Sequence, residues 1–180
     1  ENWDNMENYV FYFPNSKKFL APTNIFTRYP FVPTEYLTTK GVFCTIPPNG
    51  ITLGGLSEYI TIAPLPANES RKDITANVNF SDDMDAMVDV TYAYSGYPAA
   101  AMRKELAVMP KDRVKDWVKK LLPLSERPED INRYTMANES LENLYNNKPL
   151  EISASLNTPQ LVETAGSKFL FRLGDVIGDQ

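Results

Sequence analysis

An alternation of period two over residues 73–92 limits the possible folds of this chain more than any other feature. Ile74, Ala76, Val78 and Phe80 alternate with Thr75, Asn77 and Asn79. After a turn at Ser81-Asp82-Asp83, Met84, Ala86, Val88, Val90 and Tyr92 alternate with Asp85, Met87, Asp89 and Thr91. Successive side chains of a strand point to opposite faces, so the pattern predicts an antiparallel hairpin with one buried face.

The cover for that face follows in sequence. Lys111–Leu122 reads as a helix, because Val114, Trp117, Val118, Leu121 and Leu122 fall on one side at helical spacing. Pro123 stops it. Tyr97–Met109 is a second helix with Pro98 in its first turn, where a missing N–H costs little. Upstream, the aromatic run Tyr9–Phe13, the turn Pro14-Asn15-Ser16 and Lys18–Ala21 predict another hairpin. Gly41–Ile46 is a short strand closed by Pro47-Pro48-Asn49-Gly50. Residues 131–138, 149–156, 160–164 and 168–173 read as strands. The expected class is α+β, mainly antiparallel β. The segment 64–72, with two prolines followed by small and charged residues, reads as a linker between a part at 1–63 and a β-sandwich-like module with two helices at 73–180.

Composition narrows the chemistry. The chain has 180 residues, one cysteine, no histidine and a net charge of −5. Without histidine there is no Ser-His-Asp or Cys-His arrangement within the chain, and no zinc site built from His and Cys. One cysteine forms no intrachain disulfide. An acidic chain is a poor partner for nucleic acid, which requires a basic face. No apolar run approaches the length of a membrane span. Nothing in the sequence calls for a cofactor. Glu1 in place of a starting Met points to a processed or partial chain.

Two stretches resemble a known family. Met6-Glu7-Asn8-Tyr9-Val10-Phe11-Tyr12-Phe13-Pro14, followed by Phe19-Leu20-Ala21-Pro22-Thr23, resembles the end of a transglutaminase-like cysteine-peptidase fold. Tyr94-Ser95-Gly96-Tyr97-Pro98-Ala99-Ala100-Ala101-Met102-Arg103 is similar to a Gly-to-Arg signature downstream of that core in large secreted proteins of Bacteroidetes-type bacteria. Asn147-Lys148-Pro149-Leu150 and Gly166-Ser167-Lys168-Phe169-Leu170 fit the same region. The resemblance makes residues 1–63 the end of a transglutaminase-like core, a partial sheet of that fold. It implies a periplasmic or secreted location, a nucleophilic cysteine upstream, and a protein or glycan partner in the cell envelope, besides the upstream part of the same polypeptide.

The departures from the family pattern decide the functional expectation. The general-base position falls on Asn8, with Tyr9 next in register, and the orienting Asp position falls on Ala21. Asparagine takes no proton at neutral pH, and alanine orients nothing. The resemblance therefore implies a degenerate catalytic site and a non-catalytic structural or interaction portion. Two alternatives stand beside it: half of an active enzyme completed upstream, and an independent glycan- or protein-binding β module. Gly96 is expected at positive φ or where the helix approaches the sheet closely. Arg103 could bind a ligand, but is expected to tie its helix to the preceding hairpin through an ion pair or by capping carbonyls.

Other candidates have plainer readings. Cys44, in the apolar run Val42–Ile46, is expected to be a buried small hydrophobe. Asp82, Asp83, Asp85 and Asp89 lack calcium-loop spacing, and Glu126, Glu129 and Asp130 form a solvated loop. Tyr9, Phe11, Tyr12, Phe13, Phe19, Tyr29, Phe31 and Tyr36 are dense enough for a sugar- or peptide-binding platform, although core packing is the commoner use. Sequons begin at Asn68, Asn79 and Asn138.

Overall fold

The computed structural model describes residues 8–44, 57–81, 86–122, 131–157, 161–166, 168–172 and 174. The fold is α+β with antiparallel pairing throughout its described sheets. Its centre is a four-stranded sheet of β5 (Lys72–Phe80), β6 (Ala86–Tyr94), β7 (Ile131–Ala137) and β8 (Leu150–Asn157), in the order β5-β6-β8-β7. The period-two segment supplies β5 and β6, paired from Lys72 opposite Tyr94 to Phe80 opposite Ala86. The turn expected at residues 81–83 lies mostly outside the described residues.

The alternation decides the burial. On β6, Ala86, Val88, Val90, Tyr92 and Tyr94 are buried, while Met87 and Asp89 are exposed. β8 follows suit, with Leu150, Ile152, Ala154 and Leu156 inward. β5 is an edge strand, so Ile74 and Val78 are only half-buried and Phe80 is exposed.

The apolar face is covered by α1 (Tyr97–Val108) and α2 (Val114–Leu121), preceded by a 3₁₀ turn at Lys111–Arg113. Val118 and Leu122 are buried, and Val114, Trp117 and Leu121 pack half-buried against the same core. The hairpin of β9 (Val162–Ala165) and β10 (Lys168–Phe171) adds Val162 and Phe171 to that core. Phe171 meets Phe80 edge-on at 5.7 Å. The sheet thus packs against helices and a short hairpin.

Residues before the central sheet form two hairpins with a smaller core. β1 (Phe11–Phe13) pairs with β2 (Lys18–Leu20) around a turn closed by Lys17 N donating to Phe13 O at 2.8 Å. β3 (Lys40–Cys44) pairs with β4 (Ser57–Thr61). The expected Pro47–Gly50 turn lies outside the described residues. Tyr12, Phe19 and Phe43 meet at ring distances of 5.0–5.8 Å and join the two hairpins. Phe19, Ala21, Val32 and Ile62 are buried there.

The segment 64–72 is anchored to both parts. Lys18 Nζ pairs with Glu69 at 3.2 Å, and Tyr97 N donates to Ser70 Oγ at 3.2 Å. Phe31, fully buried, stands edge-on to Tyr97 at 5.3 Å.

Cys44 corrects the expectation of burial: it is exposed. Phe43 takes the inward position on β3, and strand alternation then turns Val42 and Cys44 outward. The five-residue apolar run made both faces look buried; only one has a covering layer.

Candidate functional site

The two motif residues of the helix, Gly96 and Arg103, meet the Asn147–Leu150 stretch in space. Gly96 starts α1 at φ 66°. A Cβ there would lie 2.5 Å from Glu69 O and from Ser70 Cα. The positive φ holds, and the close approach is corrected: the neighbour that excludes a Cβ is the segment before β5 and not the sheet. Gly96 N donates to Asn147 Oδ1 at 2.9 Å, and Asn147 Nδ2 donates to Glu69 O at 3.0 Å. Asn147 adopts φ 47°, a conformation that asparagine tolerates better than most residues. One side-chain amide thereby joins the helix start, the 64–72 segment and the approach to β8.

Arg103 is fully buried. Its Nε donates to Asn138 O at 2.9 Å and its Nη2 to Lys148 O at 2.7 Å. Asn138, at φ 60°, sends its own Nδ2 to Pro149 O at 2.9 Å. The guanidinium therefore ties α1 to the connection between β7 and β8, which corrects the expected link to the preceding hairpin. The reason is direction: Arg103, the seventh residue of α1, lies on the side facing the 138–149 connection. Burial pulls its pKa down from the ordinary arginine value. Its Nη1 and the Tyr92 hydroxyl are buried with no hydrogen-bond partner among the described residues. This cluster is a scaffold: its polar groups are directed at main-chain atoms.

The positions the resemblance aligns with catalysis do not form a site. Asn8 is exposed, and Ala21 is buried among Phe19, Val32 and Ile62. A carboxylate at position 21 would sit in an apolar cluster, where burial disfavours its charge. Exposed Cys44 has no histidine to activate it. Among the described residues no three His, Cys, Asp or Glu side chains gather as metal ligands. Asp82, Asp83, Asp85, Glu126, Glu129 and Asp130 lie outside the described residues. Asp89 accepts from Ser155 Oγ on the wet face of the sheet. Asn68 and Asn79 are exposed, whereas Asn138 is half-buried.

The aromatic run divides by parity, which corrects the expectation that it is core. Tyr12 and Phe19 face the small core, and Phe31 is buried against α1. Tyr9, Phe11 and Phe13 face solvent, with Tyr9 59% and Phe11 54% exposed. Tyr9 contacts Phe11, Phe13 contacts Tyr29 at 5.1 Å, and Tyr29 contacts Tyr145 at 6.1 Å. Tyr145 comes from the connection that Arg103 anchors, and beside it Arg28 pairs with Glu142 at 3.0 Å. The strip therefore crosses from the first hairpin to the second module. Its assembly was not legible in sequence, since Tyr145 is over a hundred residues from Phe13.

No protein-family model matches the chain, and neither a curated protein nor a solved structure is significantly similar to it.

Proposed function

We propose that this chain is a non-catalytic interaction portion of a secreted or periplasmic transglutaminase-like protein, and that it contacts a protein partner through the strip Tyr9–Phe11–Phe13–Tyr29–Tyr145. The strip is the observation that carries the reading. Exposed Tyr9, Phe11, Phe13 and Tyr145, joined through half-buried Tyr29 and flanked by the ion pairs Lys18–Glu69 and Arg28–Glu142, have the composition of an interface centre with a charged rim. The rings at Tyr9–Phe11 and Phe13–Tyr29 stand at 76° and 78° to each other. Such edge-on neighbours offer slots for interdigitating side chains and no flat platform for stacking a sugar chain. Exposed Asn8, buried Ala21 and the absence of histidine support the loss of catalysis.

The test has two arms. The natural protein containing this chain, given an active-site thiol probe and a peptide library, is expected to show no turnover, with Cys44 labelling at the rate of a simple free thiol. Turnover abolished by Cys44→Ser, or by removing an upstream cysteine, would falsify the non-catalytic reading. In the second arm, Phe11→Ser with Tyr145→Ser, at unchanged melting temperature, is expected to abolish capture of a defined envelope protein. Retained capture, or binding only to a glycan array, sinks the protein-interface reading.

A further inference from the structure

We infer that the corner between α1 and α2, with the cationic side of α2, docks on an anionic lipid surface. The segment 108–122 holds Lys111, Arg113, Lys115, Lys119 and Lys120 against Asp112 and Asp116: five cations and two anions, net +3, in a chain of net −5. The rest of the chain is therefore at −8, so the basic charge is concentrated on one short stretch. None of these five cations is ion-paired with a described residue. Lys111, Arg113, Lys115 and Lys120 are exposed, while the apolar side of α2 is committed to the core. Arg113, Lys119 and Lys120 line a concave region of about 600 Å³ with Met109, Asp116 and Trp117.

The apolar apex next to this charge selects the occupant. Val108 is 66% exposed at the end of α1, and half-buried Met109 follows it before Pro110 turns the chain. An apolar corner flanked by lysine and arginine suits a lipid interface, where the corner enters the headgroup layer and the ammonium groups meet phosphates. Trp117 completes the arrangement: its indole N–H is held by Glu105 at 2.8 Å, and the ring borders the concave region, as tryptophan does at membrane–water boundaries. An acidic protein would meet the same charge, but an apolar point of two residues is far smaller than the apolar centre of a protein interface.

Co-sedimentation with phosphatidylcholine vesicles, with and without phosphatidylglycerol, tests the inference. Binding is expected only with the anionic lipid and is expected to fall as salt rises. Arg113→Gln with Lys120→Gln should weaken it roughly fivefold per charge removed, the ratio equal to about 1 kcal/mol. Val108→Ser should weaken it further at raised salt. The control pair Lys40→Gln with Arg133→Gln, exposed but elsewhere, should leave it unchanged. The inference is overturned by binding that ignores the anionic lipid, by equal losses in the control pair, or by equal competition from soluble polyglutamate, which would assign the face to an acidic protein.

Discussion

Arg103 sets the energetic terms at the scale of single residues. A buried guanidinium costs desolvation, and here two main-chain carbonyls, Asn138 O and Lys148 O, offset it in part. Arg103→Met removes the charge but strands both acceptors in a dry site. The expected loss is roughly 2–4 kcal/mol, read from urea melts, since unsatisfied buried groups cost about 1–3 kcal/mol each. Arg103→Lys should not restore stability, because one ammonium does not reproduce the planar fork that spans the two carbonyls. Full recovery with lysine would show that charge alone matters there. The tyrosines carry the pH dependence. Burial, with Tyr92 nearby, raises the Tyr94 pKa from 10.0 to about 12, and burial raises Tyr92 as well. A phenol kept neutral by the fold stabilises fully below the unfolded value, and that contribution is lost as pH rises through the folded value. Stability should therefore fall between pH 10 and about 12, by up to about 1.4 kcal/mol per pH unit for Tyr94 alone. Urea midpoints followed beside tyrosinate absorbance check this; a flat profile over that window contradicts it.

At the scale of elements, α2 shows why a pattern and a burial are different quantities. The spacing of Val114, Trp117, Val118 and Leu121 marks the buried side correctly, yet only Val118 and the following Leu122 are fully covered. Trp117 sits at the margin with its N–H on Glu105. Trp117→Ala is expected to cost roughly 1–3 kcal/mol, below the full-burial range of about 3–5 kcal/mol. Val118→Ala, though the smaller deletion, should cost roughly 2 kcal/mol from two lost methyl groups and the space they leave. A Trp117→Ala loss at or above 4 kcal/mol would mean that the ring is covered in solution. β3 repeats the lesson with opposite sign: Val42, Phe43 and Cys44 are apolar in succession, so periodicity had nothing with which to separate Phe43 from Cys44.

Across the whole molecule, the contacts around Glu69, Ser70 and Gly96 make the 64–72 segment part of the packed structure. Asn147 bridges Gly96 N and Glu69 O, and Lys18 reaches Glu69 from the first hairpin. Native trypsin should therefore spare Arg71 and Lys72, which lie in and beside the β5–β6 ladder. Asn147→Gly keeps the positive φ and deletes the amide bridge; it should expose those sites to cleavage. Equal cleavage in both forms would mean that the segment is a free tether.

The sequence by itself determined the α+β class, the β5–β6 hairpin, both helices and the first hairpin, because each rests on a local period of two or 3.6 that survives without tertiary context. It also determined the lack of histidine chemistry. Gly96 and Arg103 were legible as positions with a structural reason, but their partners were not. Asn138, Asn147 and Lys148 are joined to them by sheet order, with β8 inserted between β6 and β7, and nothing in a one-dimensional pattern states that order. Only the tertiary structure decided which half of the aromatic run is core, because parity assigns faces to a strand without saying which face has a neighbour. The exposed strip and the basic corner are consequences of that choice: packing covered one side of each element and left the other to whatever the protein meets.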